Sequence, residues 1–125
     1  METGLGGKVV LVTGGAGGIG QAICRKFAED GAKVAVHFHT SSEEAESLAA
    51  EIGGIAVHAD LRVPSQADKM VAEIVSQMGG IDVCVANSGS YPPDPRPMWE
   101  IDEERWNSTI MSNLGVSANT SRSFL

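Results

Sequence analysis

The chain is poor in several features that would settle its class at once. It has two cysteines, Cys24 and Cys84, in 125 residues. A disulfide-stapled secreted scaffold needs more, so both read as small buried hydrophobes. The three histidines, His37, His39 and His58, have no metal-ligand spacing with either cysteine, and no metal site is expected. No apolar run approaches the roughly 20 residues that cross a bilayer, so no membrane-spanning helix is expected. The opening Met1-Glu2-Thr3-Gly4-Leu5-Gly6-Gly7 is neither basic nor apolar enough for a secretory signal, and a cytoplasmic location is expected. Basic residues are scarce, nine against sixteen acidic ones, for a net charge of −7. Nucleic acid binding needs clustered Lys and Arg on phosphates, so it is not expected. Tyrosine occurs once, as Tyr91, and all four lysines (Lys8, Lys26, Lys33 and Lys69) precede it.

Glycine, by contrast, is abundant, and five glycines crowd into Gly14-Gly15-Ala16-Gly17-Gly18-Ile19-Gly20. The apolar run Val9-Val10-Leu11-Val12 leads in, and Ile19, Ala22, Ile23 and Phe27 lead out with helical spacing. That is strand, tight turn, helix. A helix start offers free backbone N–H groups and the positive end of a dipole, which together hold a phosphate. Gly15-x-Gly17-x-x-Gly20 fits the general dinucleotide fingerprint in the strand-to-helix setting that the motif requires.

The rest of the chain alternates. Strands are predicted at Lys8–Val12, Lys33–His39, Ile55–Ala59 and Ile81–Val85. Helices are predicted from Gly18 to about Asp30, from the Thr40-Ser41-Ser42-Glu43-Glu44 capping box to Ile52, and from a Ser65/Asp68 capping box to Met78. Gly31, Gly53-Gly54 and Gly79-Gly80 stop them. Four prolines within Tyr91–Pro97 make a surface loop. A last helix is expected from about Asp102 to Leu125, with Trp106, Ile110, Asn113, Ser117 and Leu125 near one face. Strands alternating with helices imply right-handed βαβ units. The expected fold is α/β: a single domain, residues 1–125, with a Rossmann-like doubly wound parallel sheet of order 3-2-1-4, incomplete at the C-terminus. Ligands of such sheets bind at the switch point between strands one and four, outside the carboxyl ends of the strands.

The same glycines, with Thr13, fit Thr-Gly-x-x-x-Gly-x-Gly as Thr13, Gly14, Gly18 and Gly20. This resembles the cofactor motif of the short-chain dehydrogenase/reductase family. Asp60-Leu61 looks like the family's adenine-contacting pair. Val85-Ala86-Asn87-Ser88-Gly89 is similar to its Asn-Asn-Ala-Gly segment, with Ala86 for the first Asn and Ser88 for the Ala. Trp106 followed by Asn113-Leu114 resembles its fourth-helix segment, whose Asn supports a proton-relay water. The resemblance implies cofactor contacts at Gly14, Gly17, Gly18, Ile19, Gly20, His39, Asp60, Leu61, Asn87 and Gly89, and a catalytic role for Asn113. It also implies pairing of copies through the fourth helix.

Cofactor choice is read from strand two. NAD-preferring sites place an acid there for the ribose 2′-OH. Here His37-Phe38-His39-Thr40 holds no carboxylate, and His39, Thr40 and Ser41 are candidate donors to a 2′-phosphate. No Arg or Lys lies nearby in sequence, and Gly17 stands where many NADP-using relatives carry Arg. NADP is favoured over NAD.

The family's Ser, Tyr and Lys act through Tyr-x-x-x-Lys, and Tyr91 is followed by Pro92-Pro93-Asp94-Pro95. The expected function is that of an NAD(P)-dependent oxidoreductase moving hydride between a nicotinamide and a carbonyl or alcohol. These 125 residues would be its cofactor-binding half, inactive alone. The alternative is a truncated nucleotide-binding or regulatory Rossmann protein without redox activity.

Overall fold

Strand β1, Val9–Val12, is apolar and buried at every position. A strand with no polar face needs cover on both sides. In the computed structural model, which describes residues 2–125, helices supply that cover on both faces of a four-stranded parallel sheet. The elements run β1, α1 (Gly18–Glu29), β2 (Lys33–Phe38), α2 (Ser42–Ile52), β3 (Ile55–His58), α3 (Pro64–Met78) and β4 (Val83–Val85). A 3-10 turn (Met98–Glu100), α4 (Glu103–Ile110), a π turn (Met111–Gly115) and α5 (Val116–Phe124) follow. The sheet order is β3-β2-β1-β4, as the alternation implied.

Alternate residues of β1 feed two cores. Val9 and Leu11 belong with Ala67, Met70 and Ile74 of α3 and Val116 of α5. Val10 and Val12 belong with Cys24 of α1 and with Ala45, Leu48 and Ala49 of α2. Leu11 sits opposite Ala35 on β2 and Cys84 on β4. Each such side chain contributes about 1.5–3 kcal/mol on burial when it is as large as Val or Leu. Asp82 fixes the start of β4 against β1: its N–H donates to Val9 O and its carboxylate accepts from Val9 N–H, both at 2.8 Å.

Three local expectations are corrected. The capping box at Thr40–Glu44 does not form; Ser41 is the cap residue of α2 but makes no side-chain cap bond. Helix α3 begins at Pro64 with Val63 at its cap, so Ser65 lies inside it and Asp68 reaches Arg122 and Ser123 of α5 instead. Proline is well suited to a first helical position, having φ preset and no N–H to satisfy. The last helix is not continuous either. The π turn separates α4 from α5, and each residue of helix advances about 100°, so an inserted residue rotates the following face away from the preceding one. Trp106 on α4 is 50% exposed, while Val116 and Thr120 on α5 are the buried positions.

The turn from α2 to β3 passes close over β2: a Cβ on Gly54 would overlap Val34 O. Gly54→Ala is expected to cost about 1–3 kcal/mol in denaturant unfolding, as overpacking does. An unchanged midpoint would show that the turn moves away freely.

Candidate functional site

The glycine turn leaves β1 at Thr13. Gly14 has φ +63°, a conformation that suits glycine. A Cβ on Gly15 would stand 3.0 Å from Cys24 Sγ and from Val36 Cγ1, and one on Gly20 would overlap Gly14 O. Gly17 and Gly18 differ. A Cβ on Gly17 would meet only Gly14 O at 3.5 Å, and one on Gly18 nothing within 4 Å. Internal packing therefore does not require those two glycines. Their bareness leaves the first amides of α1 open, with no side-chain cap and no acidic residue in the first turn. This is the arrangement that takes an anion. Ile19, beside them, is 74% exposed.

The turn is held from both sides. On one, the Gly14 N–H donates to His37 Nδ1 at 2.9 Å, which leaves the proton on Nε2 to donate to Ala59 O, also at 2.9 Å. The His37 ring thus joins the glycine turn to the end of β3. It is 3% exposed, and burial lowers its pKa from 6.5 to about 4, so it is neutral. On the other side, Thr13 Oγ1 accepts from the N–H groups of Asn87 and Ser88, each at 3.0 Å. The Asn87 amide donates back to Thr13 O and Gly14 O at 3.1 and 3.3 Å.

Between these supports lies a cleft of about 670 Å³ at the carboxyl ends of the strands. The structure brings together there Gly14, Gly17, Gly18, Ile19 and Gly20 from the turn, His39 after β2, Asp60 and Leu61 after β3, and Asn87 and Gly89 after β4. Asn113 lies on the π turn, where its side-chain amide donates to Ser90 O and Thr109 O. Its neighbour Ser112 lines the cleft.

Sequence reading missed three residues here. His37 is expected at the cofactor end of strand two without a role of its own, yet it braces the turn. Ser88 was noted only as a departure from a motif, yet it lines the cleft. Arg62, two residues after Asp60, is not among the residues expected at the site. Its Nε and a terminal nitrogen bind both Asp60 oxygens, at 2.9 and 2.8 Å. The pairing lowers the Asp60 pKa from 3.8 to about 2, so this carboxylate stays charged. His39 Nε2 stands 3.8 Å from the same Asp60 Oδ2 that Arg62 holds. An ion pair from a loop distant in sequence therefore stands beside the imidazole at the β2 end. Among the described residues, no three of His, Cys, Asp and Glu gather as metal ligands, and no helix is long and apolar enough to cross a membrane.

A parallel sheet with a glycine turn and an open helix start at its switch point defines a Rossmann-like α/β protein. The family model of the short chain dehydrogenases matches residues 8–125. Relatives include the 3-oxoacyl-(acyl-carrier-protein) reductase FabG of Staphylococcus epidermidis, 34% identical over 112 residues, or 86% of this chain and 45% of that protein. The enzyme of the same name from Staphylococcus aureus is 35% identical over the same shares. Among solved structures, a dehydrogenase/reductase from Sinorhizobium meliloti 1021 superposes with a TM-score of 0.89 at 30% identity, covering 95% of this chain and 48% of that one. A mutant short-chain dehydrogenase/reductase of Serratia marcescens gives 0.87 at 30% identity, over 95% and 50%. The chain belongs to the short-chain dehydrogenase family, and it spans about half the length of the relatives it matches.

Two expectations follow from the supports of the turn. Thr13→Val removes one buried acceptor from two N–H groups and is expected to cost about 3 kcal/mol in denaturant unfolding, with Thr13→Ser close to wild type. Loss of stability in both variants alike would mean that the hydroxyl is not what matters. His37 must stay neutral in the fold but titrates freely in the unfolded chain. Its contribution is therefore full above pH 6.5 and lost as pH falls toward about 4. Stability is expected to decline already between pH 6.5 and 5, above the carboxylate range, with about 3 kcal/mol at stake in total. His37→Asn should flatten that limb of the pH–stability curve; the same decline in the variant would assign it elsewhere.

Proposed function

We propose that the cleft binds a nicotinamide dinucleotide and that the protein is an oxidoreductase acting on a small carbonyl or alcohol. The observation that carries this reading is the pair Gly17 and Gly18, bare for no packing reason, in one cleft with Asp60-Leu61 and Asn87. The open amides at the start of α1 hold the pyrophosphate, and Ile19 covers it with apolar surface. Asp60 accepts from the adenine amino group, and Leu61 packs beside the ring. Asn87 and Gly89 line the path toward the nicotinamide, and Gly14 and Gly20 let the backbone pass close beneath it. Once bound, the nicotinamide supplies or accepts the hydride. Asn113 orders a water for the proton that accompanies it, its amide held by Ser90 O and Thr109 O.

NADP is the favoured cofactor. The β2 end carries no carboxylate of its own, Asp60 beside it is neutralised by Arg62, and His39 brings a donor to that end. Residues 1–125 contain no Tyr-x-x-x-Lys, so the reading gives them the cofactor-holding half of the reaction and no turnover alone. The relatives named as reductases support a carbonyl acceptor. The exposed Trp106, Ile110, Met111 and Leu114 on α4 and the π turn support pairing with a second copy through this helix.

Calorimetric titration tests the cofactor reading. NADPH is expected to bind about threefold or more tighter than NADH, an exposed charge pair being worth up to about 1 kcal/mol. His39→Ala should narrow the gap. Tighter NADH binding would overturn the NADP preference, and failure of both cofactors to bind would overturn the function.

A further inference from the structure

The loop after β3, residues 60–63, leaves an outer strand of the sheet, so it has a sheet neighbour on one side only. Its backbone bonds are mostly local. The Asp60 N–H donates to Gln66 Oε1 at 2.8 Å, the Arg62 N–H to Asp60 Oδ1 at 3.1 Å and the Val63 N–H to Asp60 O at 3.1 Å. One bond comes from far along the chain. Asn119 Nδ2 of α5 donates to Leu61 O at 2.9 Å, across 58 residues. Val116, one helical turn earlier on the same face of α5, shares a core with the Leu61 side chain and also lines the cleft. That face of α5 thus serves Leu61 twice, with apolar surroundings for its side chain and a donor for its carbonyl. Apolar burial is non-directional, so packing alone does not fix where the loop backbone points. A hydrogen bond does, because it weakens steeply once bent or stretched. Asn119 itself is not among the residues that line the cleft, so its effect on a ligand there passes through Leu61 and its neighbour Asp60.

We propose that Asn119 is a positioning residue for purine recognition: by holding the Leu61 carbonyl it sets the place of the Asp60 carboxylate against the base. The proposal rests on the dinucleotide reading above, in which Asp60 accepts from the adenine amino group, and adds to it a residue outside the cleft. A recognising group has to be held to within about 0.5 Å of its productive place, and the bonds behind it supply that precision. Without Asn119 the loop keeps its local bonds and its buried leucine but loses its tie to α5.

The test compares NADPH with its hypoxanthine analogue, which differs only in carrying a carbonyl oxygen in place of the adenine amino group. Calorimetric titration of the wild-type chain is expected to show NADPH bound about tenfold tighter, since the bond at stake goes to a charged acceptor. Asn119→Leu keeps the size of the side chain and removes the donor. In that variant the preference is expected to fall to about threefold or less, mainly through weaker NADPH binding. Asn119→Ala is measured alongside and decides the matter if the leucine variant does not fold. A preference still above about threefold in a folded variant would overturn the proposal, even if both nucleotides bind more weakly, because equal weakening belongs to a residue that only stabilises the fold. Equal binding of the two nucleotides by the wild-type chain would overturn the Asp60 contact and this proposal with it. Failure of both to bind would overturn the dinucleotide reading as a whole, a result distinct from a variant that keeps the wild-type preference.

Discussion

Thr13 Oγ1 takes two backbone N–H groups from the segment after β4, and His37 Nδ1 takes the Gly14 N–H from the side of β2. The turn between them needs both. Glycine loses more conformational freedom on ordering than any other residue, and a glycine turn has no side chains of its own with which to make contacts. Its shape must be imposed by its neighbours. Thr13 and His37 are buried, so their bonds are not in competition with water, and each reaches across to a different strand end. Through His37 Nε2 and Ala59 O the same constraint extends to Asp60, the next residue. Asn119 of α5 donates to Leu61 O at 2.9 Å and braces that loop from the far side. The four strand ends that form the cleft are thus one connected network.

The order of elements was legible because each rests on a strong local pattern. Val9–Val12 is too apolar to be half exposed, and the helices carry apolar stripes that end at Gly31, Gly53 and Gly79. The switch point then follows from right-handed crossovers that reverse direction after β3, and with it the convergence of the glycine turn, Asp60-Leu61 and Asn87. What was not legible depends on geometry that pattern does not encode. A helical stripe through Trp106, Ile110 and Asn113 reads the same with or without an inserted residue, so the π turn was invisible. Ser65 had the spacing of a cap, but Pro64 had already started the helix. Arg62 carries no signal in the sequence, because nearness to strand two is read there along the chain, whereas β3 lies beside β2 in the sheet.

The π turn explains how one helical segment serves two surroundings. Before it, Trp106 and Ile110 face outward; after it, Val116 and Thr120 turn inward against the core that includes α3. Arg122 and Ser123 secure that contact on Asp68. At the turn itself, Ser112 faces the cleft and the Asn113 amide binds the Ser90 carbonyl after β4. A regular helix would hold a single stripe throughout and could not present an apolar outer face, a buried inner face and a cleft-lining residue within so few turns. π turns occur often at functional sites for such reasons of aim.

Charge poses the remaining question, since a chain of net charge −7 is proposed to hold an anionic dinucleotide. The answer lies in range. Charges more than about 8 Å away are largely screened at physiological salt, so the local fields decide. Helices α2 and α4 each carry two glutamates in their first turns, Glu43 and Glu44 or Glu103 and Glu104, which offset the positive ends of those helices. Helix α1 carries none. The carboxylate that does line the cleft, Asp60, has both oxygens occupied by Arg62. The helix start formed by the glycine turn is therefore free of acid, and the acid inside the cleft is paired. A chain with an acidic surplus can in this way still offer a short-range anion site built from backbone amides.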